Sequence, residues 1–390
     1  MKTLYESRLI TEADIEAFSI NKTVKQLANI AVRHVDKIYP IYVLTRVDQK
    51  IGEISKETDQ VLSIYKELAE NCPVDIVFSV YGFDEPKYWK YLRSIDYNML
   101  LAPEKRVNLR IFKHHCTDYN NKTPCPNVVS RIRNACLADF KAKLQSPADE
   151  WMYFMEDDML LHRVVNSVDR KHELAVCDSW KMLLIAFAIW QYFGICSART
   201  LITNSRPIGM IGFPGYNSEC HEDTPAELCN VVRINKTRLT NCVLLNVDQM
   251  IKYDVKYETE YDCWDDLDMN LQFAVKLKCN TVAIDFPICM ETNRPMVGDT
   301  SNIVYSTGKL NNYAAQMYYK WGDIIKFRPW KNSAGVTYAI NSKLPNDFTP
   351  FVMAEFVYLP NYKSGVCSDL QRLVKDDSYL PEFIEKYNVK

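Results

Sequence analysis

The chain is poor in glycine, with 11 among 390 residues, and poorer in histidine, with 6. It carries no dinucleotide glycine fingerprint, no phosphate-loop lysine and serine pattern and no serine nucleophile elbow, so three common routes to phosphate or acyl chemistry are set aside. No apolar run is long enough to span a bilayer. The best, Met182 to Phe193, is interrupted by Gln191 and bounded by Lys181, which predicts a buried helix. An excess of charge is missing too: 47 basic against 49 acidic residues leave −2, so no global positive field draws the chain to nucleic acid or an anionic membrane. Any polyanion must be met by a local patch. The opening residues, Met1 to Arg8, lack an apolar signal region, and the 13 cysteines are scattered and odd in number. An intracellular, reducing compartment, cytoplasm or nucleus, is therefore expected, with no membrane partner.

What is present is an alternation of elements. Residues 1–36 read as a helical preface capped at Thr11, and Tyr39 to Thr45 as a first buried strand ending in Arg46, Val47 and Asp48. A helix from about Glu57 to Asn71, strands at Val74 to Val80 and Asn108 to Phe112, and a helix from Val128 to Leu144 follow. This pattern predicts a largely parallel sheet in an α/β domain over 37–345, with a C-terminal extension over 346–390. Pro207 to Asn217, with three of the eleven glycines, reads as loop, Cys242 to Val247 and Thr281 to Asp285 as strands, and Asp369 to Val374 as a terminal helix. Ligands of such sheets bind beyond the carboxyl ends of the strands.

Two acidic clusters, about 110 residues apart, carry the chemistry. Trp151 to Met155 is an apolar aromatic run that ends in Glu156, Asp157 and Asp158. Like charges at the end of a buried strand are costly unless something cationic sits among them, and a divalent metal is the natural candidate. Magnesium or manganese held by one or two carboxylates keeps positions open for phosphate oxygens. The second cluster, Asp265, Asp266 and Asp268 behind Trp264, opens a helix whose dipole favours ionised carboxylates suited to base catalysis. The plain alternatives are a solvated loop after the strand for the first and helix-capping acids for the second. His114, His115 and Cys116, like Cys220 and His221, lack the paired spacing of a zinc site.

Together the strand Pro40 to Arg46, the acidic triplet and the Trp-Asp-Asp helix start resemble the GT-A-fold glycosyltransferases, over roughly residues 38–290. The resemblance implies a Rossmann-type sheet and a DxD motif. In it Asp158, with Glu156, holds Mn2+ or Mg2+, Glu156 faces the donor ribose, and Asp157 lies in the donor site. It implies nucleotide contacts from Thr45, Arg46 and Asp48, and from Arg131 and Arg133 on the helix before the triplet. It also implies a catalytic base or acceptor-binding acid among Asp265, Asp266 and Asp268. A late histidine ligand common in that family has no counterpart, since none follows His221.

Within that fold Tyr42 to Arg46, Cys242 to Val247 ahead of Trp264, and Lys320-Trp321-Gly322 resemble the TET/JBP-associated glycosyltransferases. That finer resemblance implies transfer from a nucleotide sugar such as UDP-glucose to a 5-hydroxymethylpyrimidine in double-stranded DNA. DNA would need a basic and aromatic surface, for which Lys320, Trp321, Lys326, Arg328, Trp330 and Lys331, or Lys105, Arg106, Arg110, Lys113, His114 and His115, are the candidates. A protein or glycan acceptor, and a two-metal nucleotidyltransferase using both clusters, are the alternatives.

Overall fold

Every second residue of each central strand faces the same way, and both faces of these strands are apolar, which is the pattern of a sheet covered on both sides. The computed structural model describes residues 2–47, 52–82, 84–92, 109–114, 128–143, 151–168, 171–201, 206–212, 232–234, 239, 242–259, 265–284 and 288–291, with short pieces at 316–317, 320–321, 325–329, 336–340, 355–357 and 382. In chain order come α1 (Glu12–Phe18), α2 (Lys22–His34), β1 (Ile41–Leu44), α3 (Lys56–Asn71), β2 (Ile76–Tyr81), α4 (Glu85–Tyr91) and β3 (Leu109–His114). Then follow α5 (Val128–Lys143), β4 (Trp151–Glu156), β5 (Met159–Val168), β6 (Lys171–Val176) and α6 (Trp180–Gln191), which runs on through a π-helical turn, Tyr192–Ser197, to Ala198–Leu201. The remainder is β7 (Ile208–Gly212), β8 (Val232–Ile234), β9 (Val243–Asn246), α7 (Val247–Lys252), α8 (Asp265–Leu271), which a π-helical turn, Gln272–Lys276, extends, β10 (Asn280–Ile284), β11 (Ile288–Glu291), β12 (Ile325–Pro329), β13 (Val336–Ile340) and β14 (Glu355–Val357).

The main sheet has eight strands in the order β3-β2-β1-β4-β9-β7-β10-β8. β3, β2, β1 and β4 are parallel, β9 runs antiparallel to β4 and β7 on either side, β10 is parallel to β7, and β8 closes the edge antiparallel. Small sheets β11-β5-β6 and β12-β13-β14 stand beside it. The fold is thus α/β and GT-A-like, a mostly parallel sheet flanked by helices.

The period of two sorts the core. Ile41 and Val43 of β1 and Trp151, Tyr153 and Met155 of β4 pack with Leu27, Leu62 and Leu184 from α2, α3 and α6. Tyr42, Met152 and Phe154 pack on the opposite face with Ile132, Leu137 and Phe140 of α5 and Met269 of α8. Glu156 shares the parity of Met152 and Phe154, so alternation alone delivers its side chain to the α5 face.

Within residues 1–36 the helices are α1 and α2. Thr11 and Asp14 complete a reciprocal capping box on α1, and Leu4, Phe18, Leu27 and Ala31 enter the same core cluster as β1. The expected buried helix is α6, whose residues Leu183 to Trp190 are all buried, because a helix apolar on every side belongs inside a core. It is longer than the sequence suggested. Trp180–Thr200 is by length and composition sufficient to cross a membrane, and 76% of its apolar window is buried inside the protein.

One expectation is corrected. Part of the stretch read as loop, Pro207 to Asn217, is β7, a fully buried inner strand between β9 and β10. Its glycines serve close packing: a Cβ on Gly209 would collide with the Phe273 ring and stand 2.7 Å from the Cys279 Cβ. The hairpin β5–β6 was not anticipated either, while the expected helix at Asp369 to Val374 lies outside the described residues.

Candidate functional site

Register places the first cluster. Leu44 of β1 pairs with Glu156 of β4, so the acids emerge at the carboxyl edge of the parallel half, level with Thr45 and Arg46. The chain turns at Asp157 and Asp158 and enters β5. Asp157, 6% exposed, faces β1: its Oδ2 accepts from the Thr45 hydroxyl at 2.7 Å and from the Arg46 amide at 3.2 Å, and its own amide donates to Leu44 O at 3.1 Å. Thr45 also shares a 2.6 Å hydrogen bond with the Tyr88 hydroxyl, which is wholly buried. Asp157 therefore laces the ends of two parallel strands together. Asp158 is half-buried in the turn.

A cation of the chain itself reaches one of the three crowded carboxylates. Arg133 Nη2 donates to Glu156 Oε1 at 2.8 Å, and Arg133 Nη1 donates to Asp265 Oδ2 at 2.6 Å. The arginine side chain is 5% exposed. It reaches this place because Val129, Ile132, Arg133, Cys136, Leu137 and Phe140 form one inward stripe of α5 at helical spacing. Its guanidinium lies over the Tyr257 ring, 5.2 Å from the centroid, and Asn134 clamps Tyr257 by accepting from its amide and donating to its carbonyl, both at 2.8 Å. Burial works against the guanidinium's charge. Asp265 first, then Tyr257, Glu156 and Asp266, outweigh it and hold the arginine's pKa above its ordinary value. Glu156 is pushed well up instead, by burial and then by Asp158, although Arg133 pulls the other way.

The second cluster is buried throughout, with Asp265 at 8%, Asp266 at 9% and Asp268 at 0% exposure. Asp266 Oδ1 accepts from the Leu267 amide at 2.7 Å, and its carbonyl is held by Asn270 Nδ2 at 2.8 Å. Asp268 is an anchor. Its Oδ1 accepts from Trp321 Nε1 and lies 2.8 Å from Lys320 Nζ, while its Oδ2 accepts from Gln272 Nε2 at 2.7 Å. Lys320 Nζ also donates to Glu258 at 3.2 Å.

The structure thus brings Arg133, Glu156 and Asp265 into direct contact and sets Asp158 and Asp266 beside them in the chain. Thr45, Arg46 and Asp157 form a separate lacing at the same sheet edge. Arg131 is exposed on the outer side of α5, and Asp48 lies outside the described residues. The apolar stripe of α5 that Arg133 interrupts is the signal in the sequence that its side chain turns inward. Sequence patterning missed Tyr257 and Tyr88 altogether. It also missed Asp84, a 2%-exposed carboxyl that accepts from the Val47 amide at 3.4 Å and that burial pushes up to about 6.

The candidate nucleic-acid residues divide between those with partners in the structure and those outside the described residues. Trp321 is 6% exposed and Lys320 is committed to two carboxylates; Arg110 pairs with Asp139, Lys113 pairs with Glu85, and His114 is buried. Residues Lys105, Arg106, His115, Trp330 and Lys331 lie outside the described residues, as do the side chains of Lys326 and Arg328.

The donor set suits a particular kind of metal. Among the described residues no group of three or more His, Cys, Asp or Glu is arranged as a cage. Glu156 Oε1 accepts from Arg133 and Asp157 Oδ2 from Thr45 and Arg46, and Asp158 is the acid of the triplet at the turn into β5. Magnesium or manganese, which keep water and take oxygens from a bound diphosphate, match such a sparse set.

No protein-family model and no curated protein matches this chain. Among solved structures it is similar to the crystal structure of S. aureus TarS 1–349 in complex with UDP, at 10% identity and a TM-score of 0.34, covering 80% of this chain and 100% of that one. Similarity of that degree leaves the site to be read from its own residues.

Proposed function

We propose that the chain is a metal-dependent glycosyltransferase that moves a sugar from a nucleoside diphosphate donor, with UDP-sugars such as UDP-glucose the first class to test, to a hydroxyl acceptor. The observation that carries the reading is the Arg133 bridge, which makes one site of a strand-end acidic cluster and a helix-start acidic cluster far apart in the sequence. A GT-A-like sheet presents that site at the carboxyl edge of its parallel strands, where such folds take their ligands.

In this reading Asp158 holds Mn2+ or Mg2+. When bound, that cation neutralises the diphosphate leaving group. Glu156, oriented by Arg133, faces the donor ribose, and the laced Thr45-Arg46 turn borders the nucleotide. Asp266 accepts the proton of the acceptor hydroxyl as the glycosidic bond forms. Asp268 takes no part in the chemistry, being spent on Trp321, Lys320 and Gln272.

The two-metal alternative loses ground for a positive reason: the cation between the clusters is a guanidinium. A hydroxymethylated base in DNA gains no surface from the described residues, so the acceptor is proposed only as a hydroxyl. The test is incubation with manganese, a panel of nucleotide sugars and hydroxymethylated DNA, peptide and glycan acceptors, read by mass spectrometry. Nucleoside diphosphate with a glycosylated product is expected. Pyrophosphate release, or no donor consumed across the panel, would overturn the reading.

A further inference from the structure

We infer that Arg133 is the positioning residue that fixes the donor-side acid Glu156 and the acceptor-side Asp265 in one geometry, an inference that rests on the proposed transferase reading. The two terminal nitrogens of one planar group are committed to different carboxylates, at 2.6 Å and 2.8 Å. The relative placement of the clusters is therefore set by the width of a guanidinium. Arginine presents its donors in a rigid fork, whereas lysine offers a point charge that reaches one carboxylate well and not both in a fixed relation.

The surroundings leave that fork little freedom. The inward stripe of α5 holds it from one side and the Tyr257 ring covers its face, and Tyr257 is in turn clamped by the next residue of the same helix, Asn134. Helix α5, the end of β4, the 255–257 segment and the start of α8 meet at this one group. A shift of either acid moves the other through the fork, so occupancy of the donor side is felt at the first residue of the helix that carries Asp266.

Such a role separates from simple structural support in two sets of variants. Arg133→Lys keeps the charge and loses the fork, and misplacement of reacting groups by about 1 Å costs roughly 10²-fold in rate. Arg133→Lys is therefore expected to lower the turnover of UDP-glucose with manganese by about 10²-fold while UDP affinity, measured by calorimetry on the full chain, changes far less. Arg133→Met strands a buried carboxylate, Asp265, and a half-buried one, Glu156, and is expected to lose thermal stability. The triple variant Arg133→Met, Glu156→Gln, Asp265→Asn neutralises them and is expected to regain the melting temperature without regaining turnover.

Turnover within a factor of about two of wild type in Arg133→Lys, well inside the loss expected from misplacement, would overturn the inference and leave the transferase reading intact. Turnover that returns with stability in the triple variant would make Arg133 structural only and overturn it equally. A wild-type chain that neither binds UDP nor consumes any nucleotide sugar would overturn the transferase reading itself, and the positioning role with it.

Discussion

The two acidic clusters have nearly the same composition and divide their labour the same way. Each spends one carboxylate on architecture: Asp157 on Thr45 and the Arg46 amide, Asp268 on Trp321, Lys320 and Gln272. Each gives one to the shared arginine, Glu156 and Asp265. Each has a third, Asp158 and Asp266, to which the proposed reading gives the chemistry. They differ in burial and in who does the anchoring. The strand-end cluster is held by the neighbouring strand's own end, whereas the helix cluster is buried and its Asp268 is held by Lys320 and Trp321, more than fifty positions later. The lesson is that a run of acids is not a unit, since neighbours in sequence have separate jobs once their hydrogen-bond partners are known.

Substitutions at equivalent places in the two clusters can break this parallel. The largest effect is expected from Asp158→Asn, which should abolish turnover together with manganese-dependent donor binding; intact donor hydrolysis would remove Asp158 from the site. Asp266→Asn should lower turnover by about 10²- to 10⁴-fold while donor binding persists, so steady-state rates and calorimetry together distinguish the two acids. An unaffected rate would leave the helix cluster without its chemical member.

Asp268→Ala tests the architectural member. It unpairs the Trp321 N–H and breaks a buried ion pair, and is expected to cost about 3 kcal/mol in denaturant unfolding while manganese-dependent UDP binding survives. Loss of UDP binding with unchanged stability would move Asp268 into the site.

The smallest effect comes from Asp84, a buried acid outside both clusters, where burial outweighs the Val47 amide and Lys87 that favour its charge. A carboxyl raised from 3.8 to about 6 costs the fold nothing below pH 3.8, and weakens it progressively as pH rises towards 6, where the charged form must be buried. Asp84→Asn removes that cost, so it should match wild type near pH 4 and exceed it by about 1 to 3 kcal/mol at pH 7. Thermal melts across that range check the sign. A variant less stable than wild type at pH 7 would mean that the Val47 amide and Lys87 outweigh the cost of burial.

Much of this fold is legible in the sequence, because long apolar strands and amphipathic helices announce their own period. Trp151 to Glu156 and Lys56–Asn71 lie within a residue or so of where patterning puts them. β7 was hidden by its glycines, which read as loop until the Phe273 ring and Cys279 explain why nothing larger fits. The demand for a cation among the triplet was also legible, but its source was not. A metal and an arginine satisfy the same electrostatics, and only the α5 stripe points to Arg133. The roles of Asp157 and Asp268 were not legible at all, because Thr45 and Trp321 lie 112 and 53 positions away and only tertiary packing brings them near.

The central claim is that both clusters form one nucleotide-sugar site with Asp158 as its metal-facing carboxylate. Calorimetric titration of UDP into the full-length chain and its Asp158→Asn variant, with and without manganese, tests it most directly. Binding to wild type that requires manganese and disappears in the variant is the predicted result. Manganese-dependent binding of equal strength in both, or no UDP binding to wild type at all, would contradict it.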